Sequence, residues 1–84
     1  MTWNYRVIKE TVHGETTYWV HEVYYNEAGE IESWTEAPVG ANGETLAELR
    51  EDLETMLHDT VLHDVLNMEE LRKRFPDEGR DDEV

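Results

Sequence analysis

The chain has no cysteine, a single serine, one phenylalanine, two prolines and only seven basic residues. Without cysteine there is neither a disulfide framework nor a thiolate metal site, which fits a reducing compartment. The one serine, Ser33, stands in a strand-like run without a Gly-x-Ser-x-Gly elbow, so nothing supports a serine nucleophile. No apolar run approaches the roughly 18 residues that a membrane span needs, and the opening "MTWNYRVIKE" has no basic segment leading into an apolar one. A cytoplasmic protein with no membrane partner is the expectation. The scarcity of Lys and Arg also argues against direct nucleic-acid binding, because groove binding draws on basic side chains to displace counterions from phosphates. Only "RKR", Arg72 to Arg74, clusters them.

Acid is what the chain has in excess: 21 Asp and Glu give a formal net charge of −14 over 84 residues. Two readings share this fact. Strong charge of one sign keeps a small protein dispersed, and it also forms a natural complement to a basic partner. A chain of this length buries only about 60 to 65 % of its unfolded surface, so one small core is expected, within a single domain over residues 1–75.

Composition changes near residue 40. All the tryptophans and tyrosines precede it, and the leucine-rich periodic segments follow it. The first part reads as three strands. Trp3, Tyr5 and Val7 alternate onto one face of "WNYRVIKETV", and "HGE" supplies a glycine turn. Thr16 to Tyr25 places Trp19, His21, Val23 and Tyr25 on one face and Tyr18, Val20, Glu22 and Tyr24 on the other. "NEAGE" forms a hairpin loop with Gly29 left-handed, leading to "IESWTEAPV", which Pro38 closes. Short turns predict an antiparallel meander.

The helix that covers it is predicted over residues 44–58, with Leu46, Leu49, Leu53, Met56 and Leu57 as its apolar stripe against the sheet. Glu44, Glu48, Glu51 and Asp52 lie away from that stripe. They are either a solvated face or an electrostatic recognition face, and only the first turn gains appreciably from the helix dipole. Residues 59–66, "DTVLHDVL", could prolong the helix or form a fourth strand; Thr60, Val61 and Val65 favour the strand. Asn67, with Glu70 three residues on, resembles a capping box for a short helix ending at Phe75 ahead of Pro76. Residues 76–84, polar and charged, are expected to form a disordered acidic tail. The fold class is therefore α+β: a three- to four-stranded antiparallel sheet, one main helix packed on one face, and a short C-terminal helix.

The "GET" turn, the segment "LAELREDLETML" and the "YYNEAG" hairpin together resemble the small sheet-and-helix domain of HicB-like antitoxins, over roughly residues 3 to 66. Gly43, Glu44, Thr45, Leu46 and Leu49 carry the likeness most specifically. The chain departs from that family where "APVGANGE" replaces the usual proline-glycine motif, and it lacks the C-terminal DNA-binding segment that many members add. It also resembles small bacterial proteins that open on "WNYRVI" and carry a "WTE" segment, which bring no activity with them. The resemblance implies a protein that neutralises another protein, with dimerisation through the sheet edge or helix as a secondary expectation.

Catalysis needs converging groups, and none is apparent. His58 and His63 are five apart, on different sides of a helix or of a strand, and one carboxylate beside one histidine is a poor metal site. "GANG" lacks the lysine of a phosphate loop. The carboxylates are many, with no sign of the burial that would tune them. No enzyme, metal or cofactor is expected. The partner is read as a basic protein, a toxin or a nuclease, bound through Glu44, Glu48, Glu51, Asp52, Tyr24 and Trp34. An alternative is a nucleic-acid-mimicking inhibitor of a nuclease, like anti-CRISPR proteins in charge, and a third is a small protein whose acidity serves solubility alone. A homodimer would use exposed Tyr18, Tyr24 and Trp34 on the free sheet face, unless Leu71 and Phe75 of the last helix cover that face first.

Overall fold

A computed structural model describes residues 2–75; the expected tail at 76–84 lies outside the described residues. Strands β1 (Thr2–Val12), β2 (Glu15–Tyr25) and β3 (Ile31–Trp34) are followed by helix α1 (Leu46–Leu62), strand β4 (Leu66–Asn67) and helix α2 (Met68–Arg74). The architecture is α+β, with one four-stranded sheet in the order β3-β2-β1-β4. The long hairpin at its centre pairs Thr2 with Tyr25 through to Val12 with Glu15. Its two-residue turn holds both His13 (φ 54°) and Gly14 (φ 80°) left-handed, as the right-handed twist of the flanking strands requires. In the second turn Gly29 (φ 82°) takes the expected left-handed position. There the Asn26 side chain accepts hydrogen bonds from the Ala28 and Glu30 backbone N–H groups at 2.9 and 3.0 Å.

Side chains alternate across the hairpin, and the two faces are used differently. On one face Ile8, Val23 and Trp34 form the core with Met68 and Leu71 of α2, bordered by Tyr25, Ile31, Leu66 and Phe75. The Trp34 and Phe75 rings meet edge to face with centroids 5.8 Å apart. The cover of this face is thus the short helix α2. Asn67 starts that helix as expected, its side chain accepting from the Glu69 and Glu70 N–H groups at 2.9 and 3.3 Å.

Three expectations are corrected. First, the sheet is mixed: β4 pairs parallel with β1, placing Leu66 beside Ile8. Second, residues 59–62 continue α1, and only Leu66–Asn67 is strand. Extending an existing helix adds one hydrogen bond per residue fixed, which outweighs the modest strand preference of Thr60 and Val61. The helix ends where the His63 N–H reaches the Asp59 carbonyl at 3.2 Å. Third, the leucine stripe is not the packing seam. Of its five members only Met56 is buried and Leu49 half-buried, while Leu46, Leu53 and Leu57 are exposed.

Aspartates explain the third result. Asp59 Oδ2 accepts the Tyr5 backbone N–H at 3.1 Å, and Asp52 Oδ1 accepts the Tyr5 hydroxyl at 2.7 Å. Two helical turns separate these carboxylates, so together they fix the helix beside β1 with Asp52, Met56 and Asp59 inward. That setting turns the leucines about a quarter of the circumference outward. β3 also stops at Trp34, short of Pro38, although the Thr35 and Val39 N–H groups still bond to the Glu22 and Val20 carbonyls of β2 at 3.0 and 2.9 Å. Among the described residues no helix is long and apolar enough to cross a membrane.

Candidate functional site

The segment Gly43 to Thr45 leads into α1, with Thr45 as its N-cap. The Thr45 hydroxyl accepts from the Glu48 N–H at 3.1 Å, and Glu48 Oε1 accepts from the Glu44 N–H at 2.9 Å, a variant of the capping box. Of the residues predicted to bind a partner, Glu48 therefore secures the helix start. Asp52 is structural as well: besides Tyr5 it accepts the Asn42 N–H at 3.0 Å. The Tyr5 hydroxyl, then that N–H, hold the Asp52 carboxyl below its ordinary pKa. Conversely, burial, followed by the hydrogen bond to Asp52, pushes the Tyr5 hydroxyl up to about 12.

Glu44 and Glu51 remain exposed. Tyr24 is half-buried, with its hydroxyl donating to Glu22. Trp34 is 1 % exposed and lies under α2, on the face opposite Tyr18 and Tyr24, which removes it from any interface. Its register partner is Val23, so alternation alone sets it on the core side. Of the free aromatics foreseen for that sheet face, Tyr18 is exposed; Trp3 is exposed too, its ring packing edge to face on Tyr5 at 5.1 Å.

What the structure brings together instead is an apolar stripe facing solvent. Leu46, Leu53, Leu57 and Val61 return on one side of α1, with Leu62 nearby; Leu57 is 66 % and Val61 77 % exposed. Between Leu57, Val61 and Leu62 lies an open hollow of about 410 Å³, bordered by Glu54 and His58. Glu54 and Glu51 follow the stripe on its outer flank, and Arg50 is the only base within it. The sequence carried a usable signal for this. Its apolar positions run 46, 49, 53, 56, 57, 61 and 62, an arc wider than one packing seam can bury, and Asp52 and Asp59 stand seven apart on one side of the helix. No protein-family model, characterised protein or solved structure matches this chain.

Proposed function

We propose that the protein is an acidic binding module that neutralises a basic partner protein, in the manner of the HicB-like antitoxins its sequence resembles, and that it docks through the outer face of α1. The observation that carries this reading is the exposed stripe Leu46, Leu53, Leu57 and Val61. Contiguous exposed apolar surface on a small protein marks an interaction site, and an amphipathic helix seated in a groove is a recurrent recognition mode. Charge selects the occupant. Glu51 and Glu54 border the stripe on a chain of net charge −14, so a second copy would bring like charges together, whereas a groove rimmed by Lys or Arg gains from them. A surface built to imitate phosphates would keep apolar side chains off the face that carries its carboxylates. The leucines of α1 therefore favour mixed apolar and charged contact with one protein over mimicry of nucleic acid.

The test uses a photo-reactive amino acid at Leu57 or Val61, with Thr16 as the control position, in cells of the source organism. The protein crosslinked from the helix is then purified and its affinity measured against wild type and the double variant L53S/L57S. The expected partner is basic. It loses at least tenfold affinity to the double variant, whose melting curve still shows a folded protein, and it binds more weakly as salt rises. Crosslinks only between copies of this chain, matched by a dimer in sedimentation that L53S/L57S abolishes, would overturn the reading in favour of the homodimer.

A further inference from the structure

The second candidate site lies on the other face of the sheet from Tyr5 and does not rest on the reading of α1. A groove of about 480 Å³ runs between the sheet and α2, with walls that include Glu10, Trp19, His21, Glu36, Pro38 and Arg72. Trp19 and His21 are two apart on β2 and share a face with Glu10 of β1. Glu36 arrives on the segment after β3, which the Thr35 and Val39 N–H groups tie to β2. The groove thus rests on backbone hydrogen bonds.

His21 gives the groove its chemistry. The residue is 2 % exposed, the one buried polar or charged side chain among the described residues. Its Nδ1 lies 2.9 Å from the Thr35 carbonyl, which can only accept, so Nδ1 carries the hydrogen and donates it. The neutral ring then leaves Nε2 as a bare acceptor, and no described residue supplies it with a donor. Burial holds the imidazole below its ordinary pKa despite the opposing influence of the Thr35 carbonyl, then of Glu10 and Glu36. Beside this acceptor stand two carboxylates and the half-exposed indole of Trp19, and neither carboxylate nor indole face calls for an anion. One cation is already drawn in: Arg72 Nη1 sits 3.2 Å from Glu10 Oε2 at the groove edge, with half of its side chain in solvent.

We infer that this groove is a binding site for an organic ammonium group, which donates hydrogen bonds to His21 Nε2, Glu10 and Glu36 while its alkyl stem lies against Trp19 and Pro38. A lysine side chain and a free alkylamine present the same chemistry. Among the described residues no three acidic or histidine side chains form a group that could hold a metal ion.

The test titrates isotopically labelled full-length protein with n-butylammonium and with Nα-acetyl-lysine N-methylamide, following the His21 ring nitrogens and the Trp19 indole by NMR. n-Butanol and sodium chloride at matched ionic strength are the controls. Both ammonium probes are expected to shift His21 Nε2 and Trp19 saturably, n-butanol is not, and E10Q/E36Q weakens binding at least tenfold. Tighter binding of the lysine derivative identifies a polypeptide source, and tighter binding of butylammonium a free amine. R72Q removes the internal competitor. An exposed ion pair is worth about 0.2 to 1 kcal/mol, so probe affinity should rise by up to about fivefold. Shifts that do not saturate, that sodium chloride reproduces, that survive E10Q/E36Q, or that weaken in R72Q would each overturn the assignment.

Discussion

Two leucines on two helices test the unequal division of packing most directly. Leu71 of α2 is 2 % exposed within the cluster of Ile8, Val23, Trp34 and Met68. Truncating a leucine in such a position costs about 2 to 5 kcal/mol, the sum of lost transfer energy and the cavity left behind. A chain of this size holds on the order of 4 to 12 kcal/mol of total stability, so L71A forfeits a large share of it. Leu53 of α1 is 51 % exposed. Full burial of a leucine contributes about 1.5 to 3 kcal/mol, so half burial places L53A near 1 kcal/mol, partly offset by alanine's better helix propensity. Thermal melts followed by tryptophan fluorescence separate the two, because about 1 kcal/mol moves the midpoint of a domain this small by roughly 4 to 8 °C. L71A should fall by upwards of about 10 °C and L53A by less than about 8 °C. Equal losses would show that the leucine stripe is a packing seam after all and would remove the exposed surface on which the proposed function rests.

Tyr5 makes alkaline stability sensitive to one hydroxyl. Its pKa in the folded protein, about 12, exceeds the ordinary 10, so the folded state holds a proton that the unfolded state releases across that interval. The contribution is complete below pH 10 and is lost as pH rises toward 12. Urea unfolding at a series of pH values should therefore give Y5F a shallower alkaline decline than wild type; identical slopes would contradict the raised pKa that burial, and then Asp52, give the hydroxyl. At the start of α1, a Cβ on Gly43 would lie 2.5 Å from the Leu49 backbone nitrogen and 2.7 Å from the Glu48 carbonyl carbon, while one on Gly40 meets nothing within 4 Å. G43A should cost about 1 to 3 kcal/mol and G40A nothing or a slight gain, read from the same melts.

The hairpins could be read from sequence because their causes are local: His13–Gly14 and Asn26–Gly29 fix chain direction through their own backbone preferences. The start of α2 was legible at Asn67 for the same reason. The face that α1 presents was not, because it depends on hydrogen bonds from Tyr5 to partners 47 and 54 residues away, and periodicity says nothing about them. Periodicity located the apolar arc and assumed that its centre faced inward. The structural part that two of the acidic residues play was hidden for the same reason. Glu48 and Asp52 look like surface charge in a linear reading, and become a cap and an anchor once Thr45 and Tyr5 are placed beside them. His21 reads in sequence as one more sheet-surface or aromatic-packed residue, because its significance comes from Thr35, Glu36 and Glu10, brought together only by the sheet.

The parallel pairing of β4 with β1 has a consequence for the order of folding. The central hairpin joins neighbours in sequence, and such structures form within about 1 to 10 µs. The core, in contrast, takes Ile8 and Val23 from the first third of the chain and Met68 and Leu71 from beyond residue 66, so it closes only over a long loop whose entropy must be met first. In any folding order that starts from the hairpin, Trp34 and Ile8 stay uncovered until α2 docks. During that interval the apolar side of the sheet is available to chaperones or to neighbouring nascent chains, and the many carboxylates carried by the unfinished protein act as its electrostatic guard against association.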